Sequence, residues 1–279
     1  MHRRRFTMAL LVAGLVHGAI AVGQDDPTPH ATAMRVETDL YGDAEAPAAR
    51  SLTLFNGGVA WDFLELPKPG AAADSGETVL DQIVLHDPRR ERVVVIDPAR
   101  NLKTTIDTIR LERLSVSLAK WARSADDRLI RWAGGPDFGS GLTEDGAMLD
   151  LVGPRVHYQV RCTPAPTPEA AESYRRFADT AILLRALMHP GGIPPFPRLA
   201  LNRRIEAATS VPAEVTLEID PKLSVTSVRS SRLRSVHRLH PRLLAGDFKR
   251  LEDAEAAVAA AESVDLATFV GRGSATDGK

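Results

Sequence analysis

Leu52-Thr53-Leu54-Phe55-Asn56-Gly57-Gly58-Val59-Ala60-Trp61-Asp62-Phe63 is the stretch that decides how this chain folds. Leu52 and Leu54 fall on one face of an extended segment. Asn56-Gly57-Gly58 supplies residues that tolerate positive φ, and Val59, Trp61 and Phe63 then alternate with polar or small neighbours. Period-two alternation on both sides of such a turn predicts a β-hairpin.

The same grammar extends outward. Upstream, Met34, Val36 and Thr38 alternate through Leu40 and predict an early strand. Downstream, past a loop over Pro67 to Gly76, Asp87-Pro88-Arg89 is echoed ten residues later by Asp97-Pro98-Ala99-Arg100. Each Asp-Pro pair separates apolar runs (Thr78–Leu85, Val93–Ile96, Leu102–Ile106). Proline presets φ and the preceding aspartate can bond its own backbone, so two tight turns of a three-stranded meander are expected. A second hairpin is expected over Met148–Val152 and Arg155–Cys162, with Val156, Tyr158, Val160 and Cys162 on one face. Leu199–Ile205 and Val215-Leu217-Ile219 also read as strands. Residues 222–240 admit either period; the serines at 227, 230, 231 and 235 favour two strands over a helix.

Helical periodicity appears in two places. Leu111, Leu114, Leu118, Trp121 and Ala122 recur at helical spacing after a start capped by Asp107 or Thr108. The second helix has Thr167 as its cap, Pro168 in its first position and Glu169 at its dipole. Its buried stripe is Ala171, Tyr174, Ala178, Ala181, Leu184, Leu187 and Met188. A third helix runs from Asp247 through Ala260. The fold class expected is α+β: a curved antiparallel sheet, half-barrel-like, packed against two main amphipathic helices, with a C-terminal helix.

His2-Arg3-Arg4-Arg5, the apolar run Phe6–Val16 and Ala19-Ile20-Ala21 carry the three regions of a secretory signal peptide in order. The apolar run is too short and too interrupted to span a bilayer, which needs about 20 residues. The expected organisation is therefore a leader at 1–21 cleaved near Ala21, a lead-in at 22–31, a sheet-and-helix domain at 32–245, a helical segment at 246–270 and a tail at 271–279. Without the leader, 32 basic residues face 36 acidic ones. An exported, periplasmic or secreted protein with no transmembrane span in its mature chain is expected. The even charge balance and the 5% aromatic content give no reason to expect a nucleic-acid partner.

No catalytic constellation stands out. Cys162, the single cysteine, shares an apolar strand face and reads as a buried thiol. His237 and His240 fall on opposite faces of a strand with no third ligand near, so neither a metal site nor a cofactor is expected. One charge pattern rises above background. Between Pro221 and Arg250 lie eight basic residues and one acid, and residues 251–265 then carry five acids and no base. In an extended chain Arg232, Arg234 and Arg238 project from one face, suited to phosphate or carboxylate by forked hydrogen bonds. The alternative is a charged edge strand that resists sheet-to-sheet association.

The one-sided strands, the strand–Asn-Gly-Gly–strand start and the Asp-Pro turns behind a leader resemble uncharacterised exported bacterial proteins. More distantly, over residues 32–220, they resemble the half-barrel carriers that move lipoproteins or lipids across the periplasm. That resemblance implies an open β half-barrel with helices as a lid over an apolar cavity. The basic stretch at 222–250 and the alanine-rich C-terminal helix depart from it. The function expected is non-catalytic binding of an apolar or amphiphilic ligand, a lipid, a lipoprotein or another envelope component. Trp61, Phe63, Val156, Tyr158, Leu184 and Leu187 would line the concave face, or would simply form the core. The alternatives are an interaction protein that presents Arg232, Arg234 and Arg238 to anionic surfaces and, with no motif behind it, an exported hydrolase.

Overall fold

The hairpin forms around Gly57 and Gly58, whose φ angles of +61° and +81° place them in the left-handed region that glycine enters without strain. It joins β2 (Ala49–Asn56) to β3 (Val59–Pro67). The computed structural model describes residues 33–71, 75–135, 142–220 and 232–271. The expected leader, lead-in and tail beyond Gly271 lie outside these residues, as does the first of the two strands expected over 222–240.

β1 (Met34–Tyr41) pairs with β2, and the meander follows as β4 (Thr78–Asp87), β5 (Arg92–Asp97) and β6 (Leu102–Asp107). Both Asp-Pro turns close as expected. Asp87 Oδ1 accepts from the Arg90 N–H at 3.2 Å, and Asp97 Oδ1 accepts from the Arg100 N–H at 2.9 Å. Two helices come next, α1 (Thr108–Arg123) and α2 (Arg128–Ala133), the second capped by Asp127 Oδ1 on the Leu129 and Ile130 N–H groups. Then come β7 (Leu142–Asp145), β8 (Met148–Gly153) and β9 (Val156–Pro164). α3 (Pro168–Met188) begins as the sequence predicts, with Thr167 Oγ1 accepting from the Ala170 N–H. α4 (Phe196–Ala207), β10 (Ser210–Ile219), β11 (Arg232–His240), α5 (Ala245–Ala260), β12 (Glu262–Ser263) and α6 (Leu266–Gly271) complete the order.

The strands make one curved, unclosed sheet in the order β12-β6-β5-β4-β3-β2-β1-β11-β10-β9-β8-β7. Its neighbours are antiparallel except β12 with β6, which are parallel. β11 therefore lies inside the sheet, between β1 and β10, and the charged-edge explanation for its arginines does not hold.

Two further expectations are corrected. Leu199–Ile205 lies in helix α4, not in a strand. Leu199, Leu201 and Ile205 fit period two, but Ala200 and Asn202 are buried as well, and a helix enclosed on several sides satisfies that pattern. Trp121, placed in the buried stripe of α1, is 54% exposed; Leu111 and Ala122 are the residues that α1 buries.

Cross-strand register assigns the two faces of the sheet. Trp61 stands opposite Leu54, Leu54 opposite Arg35, and Arg35 opposite His240. Continuing on the same face, Arg234 of β11 meets Thr216, and Thr216 meets Gln159. Tyr158 and Val160 hence point to the other face. On that second face α3 packs over Met34, Val36, Phe55 and Ala60, and farther along over Val93 and Val95. At the β7–β10 end Leu201 and Ile205 of α4 pack on Leu151, Tyr158 and Val160. The first face is covered at β2–β5 by α5, whose Leu251 and Ala254 pack on Trp61, Phe63 and Leu85.

Candidate functional site

The six expected lining residues do not share a surface. Trp61 and Phe63 are buried beneath α5 on one face. On the other, Val156 packs with Leu129 and Ile219, and Tyr158 with Leu151 and Leu201. Leu184 and Leu187 pack with Val93, Ile106 and Leu111. Helix side chains cover both faces of the sheet where these residues lie. The reason is phase: alternation within β3 and within β9 is legible, but the relative phase of the two strands is set by pairings through β1 and β11.

A cavity of about 400 Å³ opens instead on the first face, between β1–β3 and the start of α5. Alternation along β1 aims Arg35, Glu37 and Asp39 to this side, and register brings Arg238 of β11 opposite Glu37. Arg50 and Leu52 of β2, Glu65 of β3 and Asp247 and Arg250 of α5 complete the wall. Four guanidiniums thus alternate with four carboxylates.

The charges are interlocked. Arg35 reaches Asp247 at 2.7 Å and Glu37 at 2.6 Å. Arg238 bridges Asp39 at 2.9 Å and Glu37 at 3.2 Å. Arg50 lies 3.6 Å from Asp39, and Arg250 lies 3.4 Å from Glu65 and over the Phe63 ring. Burial pushes the Glu37 carboxyl upward, but the Arg35 and Arg238 guanidiniums outweigh it and hold it below the usual carboxylate range. Asp39, chiefly, and Glu37 raise the Arg238 pKa further.

Of the three arginines singled out by sequence, only Arg238 lines this cavity. Arg232 sits 3.8 Å from Glu218, and Arg234 bonds Glu214 at 2.5 Å and lies over the Tyr41 ring. All three do share one strand face, but acids from β1 and β10 stand against each of them. Arg35, Glu37 and Asp39 alternate along β1 as charges on any strand do, and the partners that close the groove on them, Arg238 and Asp247, lie 201 and 212 residues away from Glu37 and Arg35.

A second polar cluster lies beneath α3. His237 Nδ1 faces Thr38 Oγ1 at 3.0 Å and Tyr174 Oη at 3.5 Å, and its Nε2 faces Ser235 Oγ at 2.9 Å. Burial, with a contribution from Arg198, lowers its pKa to about 3. Among the described residues the partners on the Nδ1 side are hydroxyls. Asp62, bonded by Ser51 and Thr53, is also enclosed and its pKa is raised by burial. The Cys162 thiol is half-buried and is likewise pushed up by burial. Among the described residues no group of three or more His, Cys, Asp or Glu side chains is arranged to hold a metal ion, and no helix is long and apolar enough to cross a membrane.

Compared with known families and with curated proteins, the chain matches no family model and no curated sequence.

Proposed function

We propose that the chain is a non-catalytic, exported binding protein that holds the charged portion of a zwitterionic or amphiphilic envelope component in the groove between β1–β3 and α5. It rests on one observation: the cavity of about 400 Å³ is walled by arginines and carboxylates in equal number, with Leu52 among them. A ligand bearing both signs of charge can exchange into these pairs, each of its charges replacing one partner without leaving another buried and unpaired. A purely anionic ligand has to displace Glu37 and Asp39 from Arg238 and leave Glu37 to Arg35 and Asp39 to Arg50 alone, with the added negative charge beside them. The same reasoning disfavours an anionic partner on Arg232 and Arg234, which Glu218 and Glu214 already neutralise.

The open sheet with helices along its apolar face is read here as half-barrel-like, in keeping with the resemblance to periplasmic carriers. In this chain helix side chains occupy the space such a carrier would leave for an apolar ligand, which moves the proposed site to the charged face. Leu244 and Phe248, both at least half exposed at the start of α5, supply apolar surface close in sequence to the groove residues Gly246, Asp247 and Arg250.

The test is calorimetric titration of the full chain with glycerophosphoethanolamine, glycerol phosphate and lauric acid. Saturable binding of the zwitterion, lost in Arg238→Gln and in Glu37→Gln, supports the reading. Uptake of lauric acid alone, or binding that both variants retain, refutes it.

A further inference from the structure

α1 carries a surface that the groove does not use. Its inward stripe, Leu111 and Ala122, is satisfied by the sheet and its neighbours. Its outward side should then be polar throughout. It is not. Ile109 is 49% exposed, Val116 is 72% exposed and Trp121 is 54% exposed. Val116 and Trp121 are the two most exposed large apolar residues of the helix, and isolated apolar side chains of this kind need no explanation unless they share a face.

Here they do. Ile109 and Val116 lie seven residues apart, two turns of helix, and Arg113 and Lys120 fall between and beyond them at helical spacing on the same exposed side. Arg110 lies alongside, in line with Trp121. Among the described residues none of Arg110, Arg113 and Lys120 has an ion-pair partner, in contrast to the arginines of the groove and of β11. Glu112 is the sole acid within α1.

Cations without partners, interleaved with exposed apolar groups on one side of a helix, describe a surface that meets apolar and anionic material together. A tryptophan, whose ring prefers the water–hydrocarbon boundary, completes the set. A folded acidic partner would satisfy the cations but would need a matching apolar ridge, whereas an anionic lipid leaflet offers headgroups and acyl chains along the full length of the helix.

We infer that α1 docks in the plane of an anionic bilayer surface, with Val116, Ile109 and Trp121 entering the headgroup boundary and Arg110, Arg113 and Lys120 engaging lipid phosphates. The inference is independent of what occupies the groove. Trp61 is buried and Trp132 is partly buried, so the measurement is made in a Trp132→Phe background, in which Trp121 is the reporter of this contact.

The experiment mixes the full chain with vesicles of brominated phosphatidylglycerol or brominated phosphatidylcholine and follows tryptophan fluorescence. Quenching by the anionic vesicles, removed in Trp121→Phe and by added salt, is expected. Val116→Glu, at a site too exposed to disturb the core, should abolish it. Replacing Arg110, Arg113 and Lys120 together by glutamine should weaken vesicle affinity on the order of a hundredfold. Equal quenching by neutral vesicles, quenching that persists in Trp121→Phe, or affinity unchanged in Val116→Glu overturns the inference. Capture of an acidic protein with no quenching by either vesicle overturns it too.

Discussion

Arg35 Nη1 lies 2.7 Å from Asp247 Oδ1, so the first strand is bonded to the first turn of α5 across 212 residues of sequence. Asp247 is buried and its other oxygen accepts from the Leu244 N–H, which makes one side chain both an ion-pair partner and the local stop that starts the helix. Removing Asp247 by substitution with alanine orphans part of Arg35 and loosens α5 together. A loss of about 3 kcal/mol in urea unfolding is expected. The double variant Arg35→Met, Asp247→Leu should recover more than half of that loss, because it leaves no buried charge unmatched.

Stability should fall as the solution is acidified below about pH 6.5, the ordinary value for an exposed histidine. Burial lowers the His86 pKa to about 4 and the His237 pKa to about 3. The folded chain therefore holds both rings neutral where the unfolded chain would protonate them. Their contribution is complete above the unfolded value and disappears as pH drops toward the folded values. Urea unfolding from pH 7 to pH 4 should show this slope, and His237→Gln, which retains hydrogen bonds to Ser235 and Thr38, should remove about one proton's worth of it.

Asp62 behaves in the opposite sense. Burial raises its pKa in spite of the Ser51 and Thr53 hydroxyls, so its charged form is disfavoured in the folded chain and stability is given up as pH rises through the folded value. Asp62→Asn keeps an acceptor for both hydroxyls and removes the charge. A gain of about 1 kcal/mol at pH 7, shrinking toward zero in acid, is expected from thermal or urea unfolding.

Gly153, at the end of β8, tolerates no side chain. A Cβ there would collide with the ring of Trp132. Gly153→Ala should destabilise the β8–β9 hairpin and its contact with α2 by about 2 kcal/mol. Trp132→Leu in the same chain should relieve most of this penalty, and a double-mutant cycle on urea midpoints would reveal the coupling.

Local signals carried much of the fold. Asn56-Gly57-Gly58, the Asp-Pro turns and Thr167-Pro168 each act through bonds closed within a few residues, so the sequence predicts them and the structure holds them in place. Leu199–Ile205 reads as a strand although it is helical, because an enclosed helix and a strand leave the same short apolar record. Trp121 matches the spacing of the buried stripe, yet its side chain is exposed. The groove was illegible: Arg35, Glu37, Arg238 and Asp247 are ordinary charged residues until β1 pairs with β11 and α5 settles above them.

The charge block at Arg232, Arg234 and Arg238 shows the division most clearly. Alternation along a strand by itself places those three side chains together, since period two is a property of the extended backbone. Which face that is, which carboxylates meet it, and whether Trp61 lies on the same side as Tyr158 were decided only by tertiary pairing. A strand's own sequence sets which residues point together, whereas the side of the sheet they point to depends on register with strands far away in the chain, where a shift of one residue exchanges the two faces.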